Sequence, residues 1–464
     1  MRVLLLRPDP GNERFGLGPF FRVEPLGLAY LAAAAEAESA EVTIADLRFS
    51  PSLASWMRKV RPRLVGISCL HALEYDRVVE TAREVRRRAP DAFIVVGGHA
   101  AAAYPKALED DAIDAIAIGD GEAIMVGLVR ALRGQGALTD VPGIMLRSAE
   151  GWTTTPPTQA APREALDRWP APRRAVEQFR DGYRCLFHRP VWLVETARGC
   201  PYRCSFCSVS VLHGRALRMR GIEHVVDDFE RVGDRIFVVD DLFFGDPSRS
   251  LELARALAKR GVRKKWLLVQ SRADLIARNP DLLRAWRPVA EAIDVFLGLE
   301  APTDRGLAQL SKDSNVSRTV EGISVLRELG FGVTGNFVVD PEWGEADFAA
   351  LWDFVATHRL RRAGYTILTP LPGTAYYEQV EHKLRGQPWW KFDMHHLLWE
   401  PRLGRQRFLE LFADTWRRSV LNLKGEKGIR GWLASTRARD VPDVVRMLLR
   451  TQRMMNPSAY LAET

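Results

Sequence analysis

The sequence predicts an α/β chain in three parts: a doubly wound parallel sheet, a second run of strands alternating with helices, and a mainly helical C-terminal region. Three observations carry this. Over residues 1–146, short apolar runs alternate with amphipathic stretches of helical period. The same alternation resumes at Val191, after an interval rich in proline and arginine. Three of the five cysteines in the 464 residues fall within eight positions, directly after the first strand of that second run. The length allows more than one buried core. A hydrophobic share of 47% with 27% charged residues fits an ordinary globular protein.

In the first part Val3–Leu6, Glu41–Leu47, Leu64–Ser68 and Phe93–Val96 read as strands, with helices over Leu26–Glu38, Leu53–Val60 and Tyr75–Ala89. Tyr104–Leu108, Ile113–Ile118 and a helix over Ala123–Arg133 follow. Ligands of such sheets bind at the carboxyl ends of the strands. Those ends read Ser68-Cys69-Leu-His71, Gly97-Gly98-His99 and Gly119-Asp120-Gly121-Glu122, where glycines let a bulky ligand approach the backbone. Val141–Thr155 reads as a hairpin, and Pro156–Pro190 as a linker in which Cys185 has no evident partner.

In the second part Trp192–Thr196, Arg235–Asp240, Trp266–Gln270, Val295–Leu299, Val333–Val339 and Tyr365–Leu368 read as strands. Helices are expected over Ile222–Arg231, Ser248–Arg260, Pro280–Trp286, Ser317–Leu329 and Phe348–Arg361. Beyond about residue 385, Trp389-Trp390-Lys-Phe392-Asp-Met-His395-His396-Leu-Leu-Trp399 gathers aromatics and histidines, a composition that suits cavity lining or core. Neighbouring positions on a helix point different ways, which disfavours His395 and His396 as joint metal ligands. The tail mixes basic and apolar residues around Trp432–Arg439 and Val444–Arg450. That pattern suits a solvated amphipathic helix first and a membrane-surface contact second.

The chemistry is concentrated in Cys200-Pro-Tyr-Arg-Cys204-Ser-Phe206-Cys207. Thiolates at this C-x3-C-x2-C spacing can each take one iron of a cubane cluster and leave the fourth without a protein ligand, free to bind a small chelating molecule. Zinc is the plain rival, yet it normally takes four ligands, with His213 the candidate fourth. An electron carrier is the other.

The run Arg198-Gly-Cys200-Pro-Tyr-Arg-Cys204-Ser-Phe206-Cys207 resembles the cluster loop of the radical S-adenosylmethionine (SAM) superfamily. The resemblance implies a [4Fe-4S] cluster on Cys200, Cys204 and Cys207. SAM would chelate the open iron, be cleaved by one electron to a 5′-deoxyadenosyl radical, and lie with its adenine beside Phe206. It also implies a partial (β/α)6 barrel with chemistry at the carboxyl ends of its strands. SAM contacts would then fall on Asp240 and Asp241 after strand two, Arg272 after strand three, Glu300 after strand four and Asn336 on strand five. Asp340 departs from the glycine-rich loop usual after strand five, whereas Thr369–Glu378 matches the T-P-x-P-G-T-x-x-Y element.

The first part resembles the cobalamin-binding domain of one radical SAM subgroup, which implies that Ser68, Cys69, His71, Gly97, Gly98, His99, Gly119, Asp120, Gly121 and Glu122 line cobalamin. The D-x-H-x-x-G signature that supplies a lower cobalt ligand is missing: Arg7–Phe15 holds no histidine, which leaves Cys69 and His71 nearest that face. The implied domains are 1–146 for cobalamin, 147–190 as hairpin and linker, 191–384 as the radical SAM core and 385–464 as a C-terminal cap.

A thiolate-held cluster needs a reducing compartment, and Met1–Pro8 is too short an apolar run for a signal peptide, so the chain is expected in the cytoplasm, with membrane association a second reading. The net charge of +8 is spread along the chain and no nucleic-acid module is evident, so nucleic acid is not an expected partner. The implied partners are a small-molecule substrate and an electron donor such as flavodoxin or ferredoxin; the oligomeric state is left open. The implied activity is C-methylation of an unactivated carbon in a small hydrophobic metabolite, as in hopanoid C-3 methylases, which Arg22–Gly27 resembles. Thr369–Tyr377 is closer to the anaerobic Mg-protoporphyrin ester cyclase, so oxidative cyclisation is the alternative. A non-catalytic cobalamin or redox sensor is a third reading. A tRNA methylthiotransferase would need a second cysteine-held cluster in the first domain, where Cys69 stands alone. No side chain is assigned a catalytic role beyond the cofactors.

Overall fold

The computed structural model describes residues 1–11, 15–16, 18–156, 166–174, 179, 182–421 and 441–463. The first sheet contains β1 (Arg2–Arg7), β2 (Glu41–Asp46), β3 (Leu64–Ser68), β4 (Phe93–Gly97), β5 (Ala115–Ala117), β6 (Ile144–Ser148) and β7 (Gly151–Thr154). Its order is β2-β1-β3-β4-β5-β6-β7, parallel through β5 and antiparallel thereafter. Helices α1 (Leu26–Ala37), α2 (Leu53–Val60), α3 (Tyr75–Arg88), α4 (His99–Ala103) and α5 (Gly121–Leu132) cover its faces. Val3 to Leu6 are fully buried, as a central strand covered on both sides requires. The chain reverses direction across the sheet between β1 and β3, the switch point at which open α/β sheets take ligands. The expected hairpin is present as β6 and β7. Because it pairs onto β5, the boundary expected at 146 falls inside β6 and the sheet runs on to Thr154.

The second sheet has six parallel strands, β8 (Trp192–Val194), β11 (Arg235–Val238), β12 (Lys264–Ser271), β13 (Ala290–Glu300), β14 (Gly332–Val339) and β15 (Ala363–Ile367), in sequential order. That is the open six-stranded barrel expected of this part. A small ribbon, β9 (Ala197–Arg198) with β10 (Arg218–Met219), brackets the cysteine loop. Helices α6 (Val209–His213), α7 (Ile222–Arg231), α8 (Pro247–Lys259), α9 (Ala273–Arg278), α10 (Pro280–Trp286), α11 (Asp304–Gln309), α12 (Val316–Glu328), α13 (Glu345–Thr357) and α14 (Ala375–Val380) complete it. Side-chain caps set several starts: Asp246 accepts from the Arg249 N–H and Asn315 from the Arg318 N–H.

The C-terminal region holds α15 (Arg405–Leu421), α16 (Val441–Met454) and α17 (Pro457–Leu461). The basic-apolar stretch around Trp432 lies outside the described residues. No described helix is long and apolar enough to cross a membrane.

Two hydrophobic clusters run across the boundary between the parts. One joins α1 and α5 to Leu193, Trp266 and Leu268 of the barrel strands. The other joins α3 and α4 to Tyr377, Val380, Phe392 and Leu398. The carboxyl ends of the two sheets are therefore held facing a shared space.

Candidate active site between the two sheets

The cysteine loop is fixed before any thiol is considered. Thr196, at the end of β8, donates its N–H to Asp240 Oδ1 at 2.6 Å and its hydroxyl to Asp240 Oδ2. Asp240 is buried, and burial pushes its carboxyl up to about 7 despite those hydrogen bonds. Asp241 accepts the Gly199 N–H at 3.0 Å. Gly199 has φ +91°, and a Cβ there would stand 2.2 Å from the Ala216 carbonyl oxygen, so this turn requires glycine. Further along, the Ser205 N–H donates to the Leu310 carbonyl and its carbonyl accepts from the Tyr376 N–H. Phe206 packs with Leu310, Val338, Leu368 and Tyr376.

Cys200, Cys204 and Cys207 are free thiols of intermediate exposure on this loop, and burial raises all three, Cys207 to about 11. Loading metal on them therefore releases protons. Among the described residues no three His, Cys, Asp or Glu side chains gather about a single-ion position. The donor set, three sulfurs with no oxygen or fourth sulfur, suits a cluster in which each thiolate takes its own iron. His213, the candidate fourth zinc ligand, instead pairs its Nδ1 with Arg218 at 3.1 Å, and burial lowers it to about 4, keeping it neutral.

Beside Cys204 lies a buried polar group. Arg272 lies 3.6 Å over the Tyr202 ring and donates to Asp274 and to the Lys312 and Asp313 carbonyls. Its Nη1 is buried without a hydrogen-bond partner, a position that fits an anionic ligand group. Glu300 sits at φ +62°, where a register shift ends β13, and accepts from Lys312 Nζ at 2.7 Å. Backbone held in this conformation by a bulky residue recurs at functional sites. Asn336 donates to Thr366 Oγ1 at 3.3 Å. Asp240, by contrast, has both oxygens committed to Thr196.

The glycine loops of the first sheet line a cavity of about 470 Å³. Ser68, Gly97, Gly98, His99, Gly119, Asp120, Gly121 and Glu122 all face it, with Asp241 and Arg198 from the barrel side. Gly98, at φ +120°, lies so close over the Cys69 carbonyl that a Cβ would come within 2.5 Å of it. Cys69 itself is fully buried in the core and lines neither cavity. Arg198, two residues before Cys200, donates to Glu122 at 2.6 Å and Glu195 at 2.9 Å, while Arg218 forms a two-pronged pair with Asp120. These charges tie the cobalamin-type loops to the cysteine loop.

A second cavity, about 1040 Å³, opens beside the first and shares Leu70, His99 and Val239 with it. Its walls include Phe15, Tyr75, Phe237, Leu371, Trp390 and Phe392, together with His71, His395 and His396. Of the two cavities His71 lines this one alone, with its side chain exposed. His99 joins the two cavities: its Nε2 is 2.8 Å from Ser208 Oγ, the residue after Cys207. His395 and His396 do not lie on a helix but in turns after Lys391, and both backbone N–H groups donate to Asp393 Oδ1. Thr196, Arg198, Tyr202, Ser208 and Lys312 had no role in the sequence reading. Arg198 and Ser208 flank the cysteines, but their partners are distant in sequence.

Two parts of the chain match known families: residues 19–129 match the B12 binding domain, and residues 194–355 match the Radical SAM superfamily. The chain is 28% identical to the hopanoid C-3 methylase of Methylococcus capsulatus, over 100% of this chain and 89% of that protein. It is 26% identical to the anaerobic magnesium-protoporphyrin IX monomethyl ester cyclase of Rubrivivax gelatinosus, over 91% and 78%. Among solved structures, the cobalamin-dependent SAM radical enzyme OxsB with aqua-cobalamin and SAM superposes with a TM-score of 0.74, at 14% identity over 98% of this chain and 71% of that one. The radical SAM methyltransferase TsrM from Kitasatospora setae gives 0.67, at 20% identity over 83% and 75%. At these identities the structural likenesses establish the fold.

Proposed function

We propose that this chain, a radical SAM enzyme with an N-terminal B12-binding domain, is a C-methyltransferase acting on an unactivated carbon of a small apolar metabolite of the hopanoid or tetrapyrrole kind. The observation that carries the reading is the junction at His99 and Ser208, where the cysteine loop and the glycine loops of the first sheet meet at two adjoining cavities. When bound, SAM on the cluster supplies a primary carbon radical able to take hydrogen from such a carbon, and cobalamin supplies the methyl group.

The residues divide that work. Cys200, Cys204 and Cys207 hold the cluster, and the Thr196–Asp240 and Gly199–Asp241 hydrogen bonds set the loop that carries them. Arg272 and Glu300 are assigned to the polar end of SAM, Phe206 to its adenine, and Asp241 and Asn336 to its surroundings. Gly97, Gly98, Gly119 and Gly121 admit the cobalamin tail, Ser68, His99, Asp120 and Glu122 line its site, and His71 is assigned to its edge from the adjoining larger cavity. The larger cavity takes the substrate: Phe15, Tyr75, Trp390 and Phe392 exclude water, no Lys or Arg is among its described lining residues, and its carboxylate, Asp393, is engaged by His395 and His396, which suits an uncharged molecule. A flavodoxin or ferredoxin supplies the electron.

The test is anaerobic reconstitution with iron, sulfide and cobalamin, then incubation with reductant, methyl-deuterated SAM and fractionated apolar extract. Formation of both 5′-deoxyadenosine and S-adenosylhomocysteine, with label in an apolar product, is expected. 5′-Deoxyadenosine with an unlabelled, more oxidised product would instead favour cyclisation, which the similarity to the ester cyclase keeps as the second reading. Neither nucleoside product overturns both.

A further inference from the structure

Helix α16 is amphipathic in an unusual sense, because a strongly apolar strip lies on its outer side. Val441, Val445, Leu448 and Leu449 are 47%, 49%, 49% and 61% exposed and recur at helical spacing along one face. They make up four of the seven large apolar side chains exposed among the described residues. The inner side is anchored. Val444 and Met454 are buried, and Arg450 donates to the Phe15 and Gly16 carbonyls. Phe15 stacks on Tyr460 of α17 at 4.2 Å, and both Phe15 and Gly16 line the larger cavity. The helix therefore lies over one wall of the space assigned to the substrate.

The exposed charge on α16 itself has one sign. Asp443, the one acid in α16, is turned inward and faces three guanidiniums, those of Arg184, Arg189 and Arg446. Arg446 and Arg453 have side chains 70% and 45% exposed, Arg453 meeting Glu463, and on the adjoining α15 Arg417 and Arg418 share the single carboxylate of Asp414, two cations to one acid. An apolar strip bordered by arginines is complementary to a bilayer surface carrying anionic headgroups, with side chains entering the acyl boundary and guanidiniums meeting phosphates. At 14 residues the helix is too short to span a bilayer, so it lies in the interface plane.

We propose that the outer face of α16 is a peripheral docking surface for an anionic membrane, which brings the wall of the large cavity to the layer in which an apolar substrate dissolves. The membrane as substrate source rests on the reading of the substrate given above; the docking itself does not.

Flotation of the reconstituted full-length protein with phosphatidylcholine vesicles, with and without phosphatidylglycerol, tests it. Binding to the anionic vesicles, reduced by high salt, is expected. The double substitution Val445→Asp/Leu449→Asp should weaken partitioning by about tenfold or more, since two half-exposed apolar side chains are lost from the contact. SAM cleavage by the reduced variant in lipid-free buffer should be unchanged, so failed docking is separable from a failed methyltransferase reading. Arg446→Glu, which removes no packing, should weaken anionic binding alone and serves if the double variant does not fold. Absence of wild-type flotation, or equal flotation of wild type and the Arg446→Glu protein, overturns the proposal. So does a wild-type dimer that the double substitution converts to monomer, which would make the strip a self-association face.

Discussion

Asp240 separates two explanations of the acidic pair after β11. Resemblance places Asp240 near SAM, whereas its geometry makes it the clamp on Thr196, and the two readings predict different losses. Asp240→Ala strips the acceptor from a buried N–H and a buried hydroxyl. At roughly 1–3 kcal/mol for each unsatisfied buried group, the variant should lose about 2–6 kcal/mol. That is a large part of the roughly 5–15 kcal/mol that holds a domain folded. Asp240→Asn keeps an acceptor for the N–H, and the Thr196 hydroxyl can turn to accept from the new amide, so its loss should stay within about 1 kcal/mol. The titration adds a signed test. A carboxyl at about 7 in the fold and about 4 when unfolded keeps its proton longer in the folded state. Its contribution is therefore greatest below pH 4, falls as pH rises from 4 to 7, and is flat above; Asp240→Asn should remove that slope. Thermal unfolding across this range, iron per chain after reconstitution, and SAM affinity are the assays. A stable, iron-replete Asp240→Ala protein with only SAM binding impaired would refute the clamp.

Other perturbations follow from the same geometry. Gly199→Ala forces a Cβ to within 2.2 Å of a carbonyl oxygen at a φ that L-residues disfavour by roughly 1–2 kcal/mol, so cluster retention should fall sharply while the first sheet keeps its circular dichroism. Glu122→Gln weakens the pair with Arg198, which retains Glu195 and Asp120; a loss of roughly 1–3 kcal/mol is expected, seen as poorer cobalamin retention at unchanged iron content. His188 stacks on Trp266 at 3.8 Å and burial lowers it to about 4, so the folded state resists its protonation. Its contribution is full above pH 6.5 and is lost as pH falls toward 4, by at most about 3 kcal/mol. His188→Phe should keep the stack and flatten that acid limb in pH-dependent unfolding.

The strands and most helices were legible because the second sheet, and the first through β5, are parallel and covered, and such strands write themselves as short apolar runs between helical periods. Ile222–Arg231 and Pro280–Trp286 coincide with α7 and α10 to the residue. The cysteine loop was legible because its ligands are local. What failed to show is whatever depends on the third dimension. Nothing in the sequence joins Thr196 to Asp240, Arg198 to Glu122, or His99 to Ser208, which lie 44, 76 and 109 residues apart. The burial of Cys69 was hidden for a related reason: a strand buried throughout gives no alternation to say which way the residue after it turns, and the close packing of Gly98 on its carbonyl is a tertiary contact.

The interface chemistry explains why one chain carries both parts. Each sheet presents its carboxyl ends to the other, and the links across the gap are polar at the cofactor end and apolar at the far end. Arg198 and Arg218 spend their charge on Glu122 and Asp120, which leaves the smaller cavity with paired acids and an otherwise glycine-rich and apolar wall. Trp389 packs against Tyr75 and Tyr104 while its neighbour Trp390 lines the larger cavity. A C-terminal segment that anchors on the first domain and lines the cavity with the next side chain couples substrate fit to domain docking. Trp389→Ala, at a side chain that backs the wall residues Tyr75 and Phe392 without lining the cavity itself, should therefore impair turnover with a parallel loss of thermal stability. If turnover fell with stability intact, Trp389 would have to reach the substrate itself, contrary to its position against α3.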